Sequence, residues 1–205
     1  MSIWAIVPVK PFLRSKSRLA AVLTPEERAG LSREFLSHAL EVLAQVPAVT
    51  QIVVVSRDPA ALALAHSRQA RTVTEAGAPD LNSALQRATQ VAVAEHVAGV
   101  LILPTDLPFL TPADVEQLVA EAGEGPRVAI APDRREAGTN ALFVAPPGWL
   151  NYAFGEQSFG KHLELAQAAG AHVRVCRLPG IALDVDGPDD WELYLAARKL
   201  ESGLS

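Results

Sequence analysis

Three groups of polar residues carry the chemistry that this chain could do. The first is acidic. Asp106 ends the run Val100-Leu-Ile-Leu-Pro-Thr-Asp106, and Asp184-Val185-Asp186 places two more carboxylates two residues apart. Alternate residues of an extended segment face one way, so Asp184 and Asp186 are expected on one strand face. Two or three carboxylates with phosphate oxygens are the usual surroundings of Mg²⁺. Each aspartate also has a plainer use. Asp106 suits a turn in a solvated loop, and Asp186-Gly187-Pro188 is a helix entry in its own right. Taken as a set at two strand ends, the three favour the metal.

The second group is cationic. Lys10, Arg14, Lys16 and Arg18 lie between Val9 and Leu19 with no acid among them, while five acids and no base lie between Asp184 and Glu192. A loop after a first strand that binds nucleotide is commonly glycine-rich, so that backbone amides reach a phosphate. Here neither G-x-G-x-x-G nor G-K-[ST] occurs, which argues against a dinucleotide cofactor and a P-loop. Four cations can hold a triphosphate instead, arginine as a fork and lysine as a point charge. The alternative is a solvated basic loop. The third group joins Gly138-Thr139-Asn140 to Phe154-Gly155-Glu-Gln-Ser158-Phe-Gly-Lys161-His162. Ser158 is expected to cap a helix whose free amides, with Lys161 and His162 in the first turn, form a second anion site. An ordinary cap and turn is the alternative.

Regular elements must position these groups. Four aliphatic residues from Val100 to Leu103 read as a strand buried on both faces, with Asp106 just past its C-terminal end, where open α/β sheets bind ligands. Further strands are expected at Trp4–Pro8, Gln51–Ser56, Arg71–Glu75, Arg127–Ala131, Gly138–Ala145, His172–Leu178 and Ala182–Asp186. Helices are expected from Thr24 to Leu43, from Asp58 to about Gln69, and at Asp80–Val97, Pro112–Ala122, Ser158–Ala169 and Pro188–Leu200. Thr24-Pro-Glu-Glu27 is a capping box, and Thr111-Pro112 a helix start. Strand and helix alternate as in an α/β fold with a mostly parallel sheet. Arg127–Ala131 and Gly138–Ala145 have no helix between them, so an antiparallel edge or flap is expected there.

The chain has 205 residues, about half apolar and a fifth charged, with net charge −5. That is the composition of a single globular domain spanning 1–205, and its acidity argues against a nucleic-acid partner. Its one cysteine, Cys176, excludes an intramolecular disulfide and a cysteine metal site. No apolar run approaches a membrane span. The N-terminus lacks the pattern of a signal peptide, so a cytoplasmic location is expected. His38, His66, His96 and His172 show no ligand spacing, and no Ser-His-Asp or Cys-His pattern is present.

The motifs in order resemble one family. Val7-Pro-Val-Lys-Pro11 with Lys16-Ser-Arg-Leu19, Leu103-Pro-Thr-Asp-Leu-Pro108, Gly138-Thr-Asn-Ala-Leu142, Phe154-Gly-x-x-Ser158 with His162, and Asp184-Val-Asp186 are similar to the 2-phospho-L-lactate and phosphoenolpyruvate guanylyltransferases of coenzyme F-420 biosynthesis. The resemblance spans nearly the whole chain. It implies a single-domain nucleotidyltransferase fold of GT-A-like, Rossmann-like kind. It implies transfer of a guanylyl group from GTP to phosphoenolpyruvate, 2-phospho-L-lactate or 3-phospho-D-glycerate, with phosphoenolpyruvate favoured. It implies Mg²⁺ on Asp106, Asp184 and Asp186, Lys16 and Asp106 as catalytic residues, and GTP on Lys10, Arg14, Lys16, Arg18 and Asn82. Thr139, Gly155 and Ser158 would hold the acceptor, and product could pass to a downstream deazaflavin transferase. The alternatives are a molybdopterin or sugar-phosphate nucleotidyltransferase, against which the missing glycine-rich loop counts, and a non-catalytic nucleotide-binding regulator.

Overall fold

A computed structural model describes residues 2–75, 80–120 and 125–201. Seven strands form one sheet: β1 (Ile3–Val9), β2 (Val49–Ser56), β3 (Arg71–Thr74), β4 (Gly99–Ile102), β5 (Arg127–Pro132), β6 (Thr139–Ala145) and β7 (His172–Val175). Their order is β3-β2-β1-β4-β6-β5-β7. β6 runs against β4 and β5, and the other pairings are parallel. The order reverses between β1 and β4, and such a switch point leaves a crevice at the C-terminal strand ends.

The strands are aliphatic on both faces because helices cover both. Ile3, Ala5, Val7 and Val9 face a core shared with α1 (Pro25–Ala44), α2 (Pro59–Ser67), α4 (Pro112–Val119) and α6 (Pro179–Ala182). Trp4 and Ile6 face the opposite core, shared with α3 (Leu81–Ala94) and α5 (Ser158–Ala168). α7 (Pro188–Glu201) closes the described chain. A third, small cluster joins Leu19, Leu31, Phe35, Val185 and Tyr194, and so ties the basic loop, α1, the acidic segment and α7 together. Thr24 and Thr111 each start a helix with the reciprocal capping bonds that their sequences imply. Among the described residues, no helix is long and apolar enough to cross a membrane.

Three expectations are corrected. The antiparallel strand β6 is no edge or flap. It lies inside the sheet, and all seven of its residues are buried, as fits a strand with neighbours on both sides and both faces covered. Ala182–Asp186 is not a strand. Pro179 instead starts the short α6, and the backbone that follows bonds to loops and side chains: Ala182 C=O accepts from Arg134 N–H at 2.8 Å, and Val185 N–H donates to Asp106 C=O at 3.0 Å. Ser158 does not cap α5. Gln157, in a left-handed conformation, holds that position without a side-chain cap bond. The expected end of the fourth helix at Ala122 falls outside the described residues.

Candidate active site

β1 delivers the chain to the basic loop at the switch point. The loop folds as two 3-10 turns, Phe12–Arg14 and Ser17–Ala21. Asp58, the cap of α2, accepts from Phe12 N–H at 2.7 Å and fixes the first turn to the end of β2. Between the turns Lys16 takes φ 52°, a left-handed conformation that costs a lysine on the order of 1 kcal/mol. Both flanking peptide planes are held: Ser15 C=O by the Arg28 guanidinium at 3.3 Å, and Lys16 C=O by Leu19 N–H at 2.9 Å. Ser15 Oγ also bonds to Phe12 C=O and Ser32 Oγ. Arg28, Ser32 and Phe35 share one face of α1 at spacings of four and three. Phe35 lies under the Lys16 ammonium, 5.6 Å from its ring centre. Thus held, Lys16 Nζ reaches Asp106 Oδ2 at 3.2 Å with only 8% of its side chain exposed.

Asp106 leads into the acidic segment. Its carbonyl accepts from Val185 N–H, and Val185 is fully buried in the small apolar cluster, so Asp184 and Asp186 depart on either side of a pinned residue. Asn140 Nδ2 donates to Ile181 C=O at 2.8 Å and lies 3.4 Å from Asp184 Oδ1. Burial, and next the charge of Asp106, push the Asp184 carboxyl up to about 6. Asp186 turns to the surface and takes Arg18 at 2.7 Å. Asp190 accepts from Arg134 at 2.7 Å and from Gly187 N–H at 2.9 Å. Burial opposes its charge, but Arg134 and the amides of Gly187 and Asp186 outweigh that and hold its carboxyl below the usual range.

Among the described residues, no three His, Cys, Asp or Glu side chains are gathered closely enough to hold a metal ion. The expected trio is therefore divided. Asp186 is drawn to Arg18, whereas Asp106 and Asp184 stay close enough for one charge to raise the other's pKa.

β6 runs antiparallel, so its first residue, Thr139, lies at this same edge. Thr139 N–H donates to Ser158 Oγ at 2.9 Å, and Thr139 Oγ1 is 2.9 Å from His162 Nδ1. All three residues are buried. The first amides of α5 are not free as expected: Ser158 N–H donates to Gly155 C=O and Phe159 N–H to Ala137 C=O, both at 3.2 Å. Lys161 Nζ turns back to Glu156 C=O. Gly155 takes φ 128°, which only glycine holds without strain, and so makes the turn into α5. Asn82 forms a two-way bond with the Phe154 backbone, at 3.1 Å to its C=O and 2.8 Å from its N–H, and spends both side-chain groups tying α3 to that turn. Lys10 and Arg14 are exposed. A concavity of about 290 Å³ opens at the other sheet edge, beside Arg127, His172 and Arg174, and no expected site residue lines it.

Four residues that shape the site were not singled out as its members from sequence. Arg28 and Asn140 hold backbone, and only Asn140's place beside Thr139 hinted at its use. Arg134 and Asp190 meet through a fold contact that no spacing encodes.

A family model described as "Guanylyl transferase CofC like" matches residues 3–198. The phosphoenolpyruvate guanylyltransferase of Rubrobacter xylanophilus is 44% identical over 190 residues, 93% of this chain and 92% of that protein. The 2-phospho-L-lactate guanylyltransferase of Methanothermobacter thermautotrophicus is 35% identical over 190 residues, 93% of this chain and 82% of that protein. A putative nucleotide-diphospho-sugar transferase from Desulfovibrio desulfuricans superposes with a TM-score of 0.76 at 18% identity, covering 97% of this chain and 89% of that one. A nucleotidyl transferase from Methanothermobacter superposes at 0.66 and 16%, covering 98% and 99%. At these identities the two structures show the fold, which is that of the nucleotidyltransferases. The family match, nearly end to end, carries more: this chain belongs to the CofC-like guanylyl transferase family.

Proposed function

We propose that this chain transfers a guanylyl group from GTP to phosphoenolpyruvate, giving enolpyruvoyl-2-diphospho-5'-guanosine and pyrophosphate in coenzyme F-420 biosynthesis. Family membership and the relatives named for this reaction support the reading. The single observation that carries it is the meeting of Lys16 with Asp106, with Asp184 near enough to feel the Asp106 charge, at the C-terminal ends of β1 and β4. The acceptor's phosphate oxygen is already anionic near neutral pH, since a phosphate monoester loses its second proton at about 6. It needs no general base. That oxygen bonds to the α-phosphorus, the bond from α-phosphorus to the bridging oxygen breaks, and pyrophosphate leaves with the electron pair. What the chain must supply is position and charge. Lys16 is placed to exchange Asp106 for a phosphate oxygen, and Lys10, Arg14 and Arg18 line the same loop. Thr139 and Ser158 offer hydroxyls to the acid.

A divalent cation fits this arrangement. Asp184 sits half-buried beside a second carboxylate, and burial first, then the charge of Asp106, raises its pKa, so a cation placed there would favour its charged form. Mg²⁺ would be held by Asp106 and Asp184 together with phosphate oxygens, with Asp186 free to join only by leaving Arg18. When bound it neutralises phosphate charge. The relative named for 2-phospho-L-lactate makes that acid the second candidate acceptor. Incubation with Mg²⁺, each of four NTPs and each three-carbon acid, reading pyrophosphate release, tests the proposal. GTP with phosphoenolpyruvate is expected to turn over fastest. Turnover with CTP alone would remove the guanylyl assignment.

A further inference from the structure

His162 lies behind the residues assigned to the acid, and its hydrogen bonds determine what they can offer. The Ala153 backbone N–H can only donate, and it meets His162 Nε2 at 3.0 Å. Nε2 is therefore the bare nitrogen, and the ring carries its hydrogen on Nδ1. Nδ1 is 2.9 Å from Thr139 Oγ1, so the ring donates and the hydroxyl accepts. The hydrogen of the Thr139 hydroxyl is left over. Ser158 Oγ likewise accepts from Thr139 N–H and keeps its own hydrogen. Neither hydroxyl hydrogen has an acceptor among the described residues. Two adjacent buried hydroxyls with hydrogens to give are suited to an oxyanion. The opposite tautomer would make Thr139 donate to the ring and turn lone pairs towards an anion.

We propose that His162 is a positioning residue for the acid substrate: by donating from Nδ1 it obliges the Thr139 hydroxyl, beside that of Ser158, to donate to an oxygen of the acid's carboxylate or phosphate. This rests on reading the Thr139–Ser158 edge as the acceptor's side. The ring is held for the task. It is fully buried, with the Phe154 ring edge-on at 4.7 Å. Burial pushes its pKa down to about 4, so it stays neutral where the enzyme would work.

Two readouts test this. In the full-length ¹⁵N-labelled protein, long-range proton–nitrogen correlation should find His162 neutral at pH 7 with hydrogen on Nδ1. Hydrogen on Nε2, or a doubly protonated ring, would overturn the assignment. In steady-state kinetics, His162→Phe should raise the KM for phosphoenolpyruvate roughly ten- to hundredfold, the worth of one charge-assisted hydrogen bond, and leave that for GTP within about twofold. His162→Gln can accept from Ala153 N–H and donate to Thr139, and should recover most of the loss. Equal KM changes for both substrates, or glutamine no better than phenylalanine, would mean that His162 only supports the fold. If His162→Phe does not fold, Thr139→Val removes the same donor and should show the same selective KM rise; an unchanged KM would overturn the proposal. Titration of the free protein with phosphoenolpyruvate separates this inference from the guanylyl reading. A saturable shift of the Thr139 and Ser158 signals, lost in Thr139→Val, upholds the site even without turnover, and no shift refutes it.

Discussion

Asp106 and Lys16 neutralise each other across 90 residues of sequence, and each is held by its own surroundings. Removing one charge should therefore cost activity far more than stability. Asp106→Asn keeps the shape and the Val185 bond, which uses the backbone. It is expected to abolish pyrophosphate release while moving the unfolding midpoint by only a few degrees, and full activity in this variant would take Asp106 out of the site. Arg28→Met removes the donor that fixes Ser15 C=O beside left-handed Lys16. Misplacement of such a group costs up to about a hundredfold in rate, so kcat should fall at least tenfold, with Arg28→Lys in between. Unchanged kcat would show that Leu19 and Ser15 suffice to hold the loop.

Two groups shifted by burial, half-buried Asp184 and fully buried His162, give the stability a pH signature. The Asp184 carboxyl titrates at about 6 in the folded chain, above its ordinary 3.8, so the folded state binds the proton more tightly and stability falls as pH rises from about 4 to 6. His162 titrates at about 4, below its ordinary 6.5, so stability rises as pH rises from about 4 to 6.5. Each effect is on the order of 3 kcal/mol, and the two nearly cancel. Asp184→Asn removes the falling limb. Its unfolding midpoint should climb between pH 4.5 and 6.5 where the parent's is nearly level; parallel profiles would show that Asp184 ionises normally.

At the scale of elements, the acidic segment depends on its neighbours more than on its own sequence. Asn140 holds Ile181 C=O, Arg134 N–H holds Ala182 C=O, and Val185 is pinned to Asp106. Asn140→Ala leaves a buried carbonyl without that donor, at a cost of about 1–3 kcal/mol. Thermal unfolding should register that loss, and the KM for GTP should rise as Asp184 and Asp186 lose their register. This also explains where sequence reasoning stopped. The strands and the long helices were legible because aliphatic runs, capping boxes and Pro at helix starts act locally. Asp184-Val-Asp186 reads as a strand because its alternation is genuine: Val185 is buried and its neighbours are not. What it lacks is a ladder partner, and partners are set by tertiary contacts. β6 reads as an edge for the same reason, since connection length gives direction but not position in the sheet. Ser158 has the chemistry of a cap, but the adjacent Thr139 amide takes its oxygen first.

At the scale of the molecule, the fold places a cationic loop and a carboxylate pair on the two sides of the switch point, with paired hydroxyls from β6 and α5 at the same edge. Chain segments from both ends of the sequence meet there: Lys16 and Arg18 from the first 20 residues, and Asp184 and Asp186 from the last 22. The sum is a surface where negative phosphates would find cations, and where the acid carboxyls would need a cation between them and the phosphates. The central claim is that this edge moves a guanylyl group onto a phosphorylated three-carbon acid. GTP labelled at the α-phosphorus, incubated with phosphoenolpyruvate, Mg²⁺ and the protein, tests it most directly. The account predicts that the label appears in a new guanosine diphosphate-linked product in step with unlabelled pyrophosphate, and that Asp106→Asn yields neither. Label that stays in GTP, or that appears only as GMP, would contradict it.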